Sequence, residues 1–272
     1  MRPEPAIPHE PGAPKPDPVL TVTGMRRSFG GLRAVDIDHL EIQRRTITSL
    51  IGPNGAGKTT FFNLLTGFEA PDQGDHMLDG DLLLGIPAHQ VAQRGMVRTF
   101  QLTKVLPRLT VLENMLVAAK DQPGSSFVGA LRGGWGGQER ENEKEAGEIL
   151  DRFGLAAMAD EYAGRLSGGQ RKLLEMARVL MVRPTVIMLD EPTAGVNPVL
   201  IQSLLEHVKD LRDAGMTVVL VEHDMDVVQS ISDWVVVMAE GHVIAEGPPK
   251  VVARNPAVIE AYLGRHRGVE DQ

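Results

Sequence analysis

Three short stretches carry residue types that together could bind and cleave a phosphoanhydride. The first is Gly52-Pro53-Asn54-Gly55-Ala56-Gly57-Lys58-Thr59, which fits G-x-x-x-x-G-K-[ST]. Glycines let the main chain curl closely and turn its N–H groups inward, and a following helix adds the positive end of its dipole. Lys58 would reach the β- and γ-phosphates, and the Thr59 hydroxyl, with Thr60 behind it, would face Mg²⁺. The second stretch is Val186-Ile187-Met188-Leu189-Asp190-Glu191, an apolar run ending in two carboxylates. In an open α/β sheet, ligands gather beyond the carboxyl ends of the strands. Asp190 would there help hold the metal, and Glu191 would orient and polarise an attacking water. The third is Leu166-Ser167-Gly168-Gly169-Gln170. Taken alone, Ser167 reads equally well as a helix N-cap and as part of a second anion site.

The elements around these residues follow from periodicity. Val19–Thr23, Leu40–Ile42 and Thr46–Ile51 are β-branched and apolar, so the glycine loop follows a predicted strand. Thr59–Thr66 predicts a helix with Gly67 as its stop. Val186–Leu189 and Thr217–Val221 are near-continuous apolar runs, joined by a helical pattern over Leu200–Ala214, as in a parallel sheet covered on both faces. Residues 102–165 change character. Ala146, Ile149, Leu150 and Phe153 mark one helical face, and Glu139, Glu141, Glu143 and Glu145 a solvated one. This predicts a helical subdomain inserted into an α/β domain. Residues 256–263 predict a short last helix with Asn255 as N-cap, Pro256 in the first turn and Gly264 following.

Composition narrows the classes. The 272 residues are 42% hydrophobic, enough for one substantial core, and the net charge of -8 disfavours nucleic acid as a partner. There is no cysteine, which excludes disulfides and thiol chemistry. No apolar run approaches the roughly 20 residues that span a bilayer. Residues 1–18 hold seven prolines, among them Pro3, Pro5, Pro8 and Pro18, and lack the apolar stretch of a signal peptide; they read as a disordered or extended tail.

With these motifs stands Gln101 in Arg98-Thr99-Phe100-Gln101 and His223 in Glu222-His223-Asp224. In this order the sequence resembles the ATP-binding subunits of ABC transporters, from about residue 19 to 264. The resemblance implies a P-loop NTPase core with an antiparallel β subdomain and an inserted α-helical subdomain. It implies domains at 1–18 (tail), 19–247 (ATPase, with the helical insertion at about 102–165) and 248–272 (last helix and tail). It implies ATP and Mg²⁺ as ligands, with Phe29 stacking on adenine, Gln101 joining Thr59 and Asp190 at the metal, and His223 contacting the γ-phosphate beside the catalytic Glu191. Ser167, Gly168, Gly169 and Gln170 would act in trans on the ATP of a second, related ATPase packed head-to-tail. The other implied partners are integral-membrane permease subunits and, indirectly, an extracytoplasmic solute-binding protein. The place would be peripheral, on the cytoplasmic face of the inner membrane.

Narrower features are Phe29–Val35, Thr110-Val111-Leu112-Glu113-Asn114, Ala194-Gly195-Val196-Asn197-Pro198, Glu222–Met225 and Ala261-Tyr262-Leu263-Gly264. They look like the G-type ATPase of branched-chain amino-acid importers, with a long insertion at about 121–141 that holds Phe127, Leu131 and Trp135. Urea or amide importers and lipopolysaccharide or lipid exporters share much of this pattern and stand as alternatives, as does a non-transport ABC ATPase. Two departures stand out: Asn197 replaces the aspartate many members carry, and the signature has the plain Leu-Ser-Gly-Gly-Gln form where the branched-chain subfamily often differs.

Overall fold

A computed structural model describes residues 7–99, 105–119 and 135–263. Residues 1–6, most of the 121–141 insertion with Phe127 and Leu131, and Gly264 lie outside this set. Two sheets face each other across one helix. β1 (Pro18–Phe29), β2 (Leu32–Gln43), β4 (Gln73–Leu78) and β5 (Asp81–Leu82) make an antiparallel sheet in the order β2-β1-β4-β5. β3 (Ile47–Ile51), β6 (Met96–Arg98), β7 (Val186–Asp190), β8 (Thr217–Val221), β9 (Trp234–Ala239) and β10 (His242–Gly247) make the second, in the order β10-β9-β3-β8-β7-β6. All its pairings are parallel except β9–β10.

The apolar strand runs match this placement. Every residue of β3 and β8 is buried. Along β7, Val186 and Met188 pack toward Phe61, Phe62 and Leu65 of α1 (Lys58–Leu65), while Ile187 and Leu189 point the other way. That period of two puts α1 between the sheets and the remaining large helices on the far face.

The far face carries α3 (Val111–Ala118), α4 (Trp135–Arg152), α5 (Gly168–Leu180) and α6 (Pro198–Asp213). Ala146, Ile149, Leu150 and Phe153 of and beyond α4 are buried there, as their spacing predicts. Thr110 and Glu113 form a reciprocal cap on α3: the Thr110 hydroxyl accepts from Glu113 N at 3.1 Å and the Glu113 carboxylate from Thr110 N at 2.7 Å. The completely buried Asn114 then holds the turn before it, accepting from Leu106 N at 2.8 Å and donating to the carbonyls of Leu106 (3.0 Å), Leu109 (3.3 Å) and Thr110 (2.8 Å). α2 (Ala88–Gln93) and α7 (Met225–Ile231) are short connections. α8 (Pro249–Val252) and α9 (Pro256–Leu263) close the chain, and the Asn255 side chain accepts from Ala257 N at 3.0 Å as an N-cap.

The N-terminal segment, expected to be disordered or extended, is packed rather than solvated where the structure describes it. From residue 7 onward it lies packed on the second sheet, with Ala13 and Lys15 buried. The reason is Glu246 on β10, a buried carboxylate that needs donors. Lys15 Nζ sits 2.8 Å from Glu246 Oε2, Ala13 N donates to Oε1 at 2.9 Å, and Trp234 Nε1 donates to Oε2 at 2.8 Å. The Lys15 ammonium also lies 4.3 Å from the Trp234 ring centroid, and His9 meets the same ring edge-on.

Candidate functional site

The glycine loop joins the carboxyl end of β3 to the start of α1. Gly57 stands in the cap position with φ 96, and no side chain caps the helix there. A Cβ on Gly57 would lie 2.1 Å from the Ala34 carbonyl, so both conformation and space exclude any other residue. The first turn of α1 carries no acidic residue. That turn therefore adds no negative charge of its own to the positive end of the helix. Lys58 Nζ folds back over the loop and donates to the carbonyls of Gly52 (2.6 Å) and Pro53 (3.0 Å). Among its contacts, these hold the ammonium at the loop's mouth.

The loop opens into a cleft of about 860 Å³. Asn54, Gly55, Ala56, Gly57, Lys58, Thr59 and Thr60 line one wall, Glu191 another, and Phe29 with Leu32 a third. Phe29 ends β1 just before the Gly30-Gly31 turn and is 45% exposed, so its ring is presented rather than packed away. The Arg27 guanidinium lies 4.7 Å from the ring centroid. Asp72 steadies that arginine at 2.8 Å, and the Ser28 N–H, then Arg27, hold the Asp72 carboxyl below its ordinary pKa.

Asp190 closes β7 and is ion-paired to Arg98 of β6. Arg98 also donates to Asn63 on α1 at 2.6 Å. One guanidinium thus spans the strand that leads to Gln101, the helix behind the phosphate loop, and the acidic strand end. Glu191 follows in the left-handed region with φ 45, a conformation unusual for a non-glycine residue and held here by its N–H bond to Val221 O at 3.0 Å. This turn exposes the Glu191 side chain toward the cleft.

Other expected residues stand elsewhere. His223 follows β8, two residues beyond the cleft-lining Val221, with a 64% exposed side chain that does not line the cleft. Ser167, Gly168, Gly169 and Gln170 open α5 on the helical face, outside the cleft. Ser167 and Gln170 cap each other, Gln170 N donating to Ser167 Oγ at 3.2 Å and Ser167 N to Gln170 Oε1 at 2.9 Å. The N-cap reading of Ser167 therefore holds within the chain. Gly169 has a second reason: a Cβ there would come 2.1 Å from Leu200 Cδ1 of α6. Gln101 lies outside the described residues.

Comparison with known proteins decides the family. A family model described as ABC transporter matches residues 35–194. The chain belongs to the ABC transporter family. As a member it is a nucleotide-binding ATPase. A second model, branched-chain amino acid ATP-binding cassette transporter, matches residues 242–267 of this cassette. The high-affinity branched-chain amino acid transport ATP-binding protein BraF of Pseudomonas aeruginosa is 43% identical over 91% of this chain and 98% of its own. The protein of like description, LivG, from Escherichia coli K12 is also 43% identical, with the same coverage. A probable LivG of Archaeoglobus fulgidus is 40% identical over 90% of this chain and 95% of its own. Among solved structures, the ADP conformation of an ATP-binding cassette superposes with TM-score 0.79 at 35% identity, covering 91% of this chain and 99% of that one. A nucleotide-free cassette gives 0.77 at 35%, covering 90% and 98%.

Within the cassette, the sequence alone did not single out Leu32, Arg33, Ala34 or Glu240 as cleft walls, nor Arg98 as the partner of Asp190. The position of Arg98 three residues before Gln101 was visible; its pairing across 92 residues was not.

Proposed function

We propose that this cassette is the ATP-hydrolysing subunit of an importer for branched-chain amino acids. The observation that carries the substrate class is the match of residues 242–267, the β10–α9 region, to the branched-chain cassette model, on top of a 43% likeness to BraF and LivG along nearly their whole length. Phosphates would lie on the first turn of α1 under Lys58, with adenine on the exposed face of Phe29 and Arg27 behind that ring. Thr59 and Asp190 offer a hydroxyl and a carboxylate, the hard oxygen donors Mg²⁺ takes together with nucleotide phosphates, and with Gln101 they would hold it. When bound, the metal would draw charge from the β- and γ-oxygens. Glu191 would accept a hydrogen bond from the attacking water, and His223 would swing toward the γ-phosphate from its exposed turn.

No described helix is long and apolar enough to cross a membrane. The transport path would belong to permease subunits, with this cassette peripheral on the cytoplasmic face, and a second ATPase would supply the opposing Ser167-type signature. The test is leucine, isoleucine and valine uptake in cells lacking the gene, complemented with wild type or Glu191→Gln, alongside mild-detergent co-purification. Restored uptake by wild type alone, with two polytopic permeases and a related ATPase co-purifying, is expected. Urea or amide uptake, or a lipid-export complex, would overturn the substrate class and leave the ATPase standing.

A further inference from the structure

Glu222 is completely buried, yet it is the residue directly before His223. Among the described residues its carboxylate meets hydrogen-bond donors and one imidazole, and no lysine or arginine. Oε1 accepts from the Thr193 hydroxyl at 2.7 Å and from Thr193 N at 3.3 Å. Oε2 accepts from His223 N at 3.3 Å and lies 4.0 Å from His223 Nδ1. The Glu222 N–H donates to Leu50 O, at 3.4 Å, two residues before the phosphate loop. A carboxylate removed from water without a counter-cation is expensive, and an apolar or hydroxyl side chain would fill the same space.

The geometry explains what the carboxylate does there. The β7–β8 pairing ends at Asp190↔Val221. Beyond it, Glu191 N still bonds to Val221 O, and Thr193 bonds to the Glu222 side chain. The ladder thus continues past the strands into two turns that have no regular structure of their own. One runs from Thr193 into Ala194-Gly195-Val196-Asn197; the other is His223-Asp224.

We propose that Glu222 is a positioning residue that makes the Thr193–Asn197 turn and the His223 main chain move as one unit. This rests on the proposed role of His223 at the γ-phosphate. A displacement of the Thr193 turn is then carried directly to His223 without passing through the cleft.

The test uses the full-length chain with Thr193→Val, Thr193→Ser and Glu222→Gln. Steady-state ATPase rate, affinity for a fluorescent ATP analogue and amide hydrogen exchange at residues 222–225 are read together. Thr193→Val is expected to lower kcat about fivefold or more while affinity stays within about twofold, and to speed exchange at His223. Thr193→Ser, which keeps the hydroxyl, restores both. Glu222→Gln sets an amide N–H against the His223 N–H and reproduces the valine phenotype if it folds. Unchanged exchange at His223 in Thr193→Val, whatever its rate, overturns the coupling. A wild-type chain that hydrolyses no ATP even when co-purified with its permeases and second ATPase overturns the proposed function instead, and the exchange comparison still decides the linkage.

Discussion

Arg178 Nε of α5 donates to the main-chain carbonyl of Asn114 on α3, 3.1 Å away and 64 residues earlier, with both residues buried. The helix that begins at Ser167 is thereby fastened to the turn through which the chain leaves the Gln101 segment. Asn114 is the hub, because its side chain satisfies that turn while its carbonyl receives the guanidinium.

Asn114→Ala removes four side-chain hydrogen bonds at a site without water to replace them. A loss of about 2–4 kcal/mol is expected, lowering the unfolding midpoint by roughly 4–12 °C. Thermal and urea unfolding measure it, and a variant as stable as wild type would remove Asn114 as the organiser of the turn.

Glu191→Gln keeps the shape of the side chain and abolishes its basicity. ATP turnover is expected to fall about 100-fold or more with ATP affinity retained. Lys58→Ala should instead lose affinity, since its ammonium sits at the mouth of the phosphate loop. Equilibrium binding beside a phosphate-release assay separates the two, and a Glu191→Gln protein turning over at the wild-type rate would displace Glu191 from the chemistry.

One buried and one half-buried histidine give the fold an acid limit. Burial pushes His76 below its ordinary pKa of 6.5, although its ring donates to Leu65 O at 2.9 Å. Burial also lowers His207, stacked on Phe153 with centroids 4.5 Å apart. The unfolded chain binds protons at these groups near pH 6.5 while the folded chain resists. Stability is therefore full above that pH and declines as pH falls toward the lowered folded values. Urea midpoints should fall between about pH 7 and pH 5.5, and His76→Gln with His207→Phe should flatten the slope. A midpoint that rises on acidification across this window would contradict the assignment.

The N-terminal strap rests on a pair whose side chains are 1% and 0% exposed. Lys15→Met leaves the Glu246 charge buried without its cation, at an expected cost of about 3–5 kcal/mol. Adding Glu246→Gln should recover part of it. Unfolding followed through Trp234 fluorescence reads the change directly, since Lys15 and His9 both touch that ring. Equal stability of Lys15→Met and wild type would mean the strap is not fixed by this pair.

The residues legible in the sequence are those whose requirement is local. Gly57 must be glycine because of its own φ and the nearby Ala34 carbonyl, and so the phosphate loop has a fixed pattern. Val186–Leu189 and Thr217–Val221 announce themselves because a strand covered on both faces must be apolar along nearly its whole length. The strap was not legible: proline-rich composition argues for a solvated tail, and the partner that orders it lies 231 residues away. Arg98–Asp190 and Thr193–Glu222 escaped for the same reason. Each residue is unremarkable alone, and only the strand order brings them together.

That strand order also sets a schedule for synthesis. β3 emerges early, with all five of its residues buried in the folded chain, but its two neighbours β8 and β9 are encoded near the other end of the chain. About 165 residues separate Ile51 from Thr217; at a ribosomal rate of about 5–20 residues per second, β3 waits roughly 8–30 s for its first partner. The antiparallel sheet, whose β1 and β2 are consecutive, can close during that interval. The parallel sheet cannot be laid down strand by strand as the chain appears. A nascent cassette therefore carries an unpaired, sticky strand through most of its translation, and truncated products ending before Thr217 are expected to be clients of ribosome-associated chaperones rather than folded fragments.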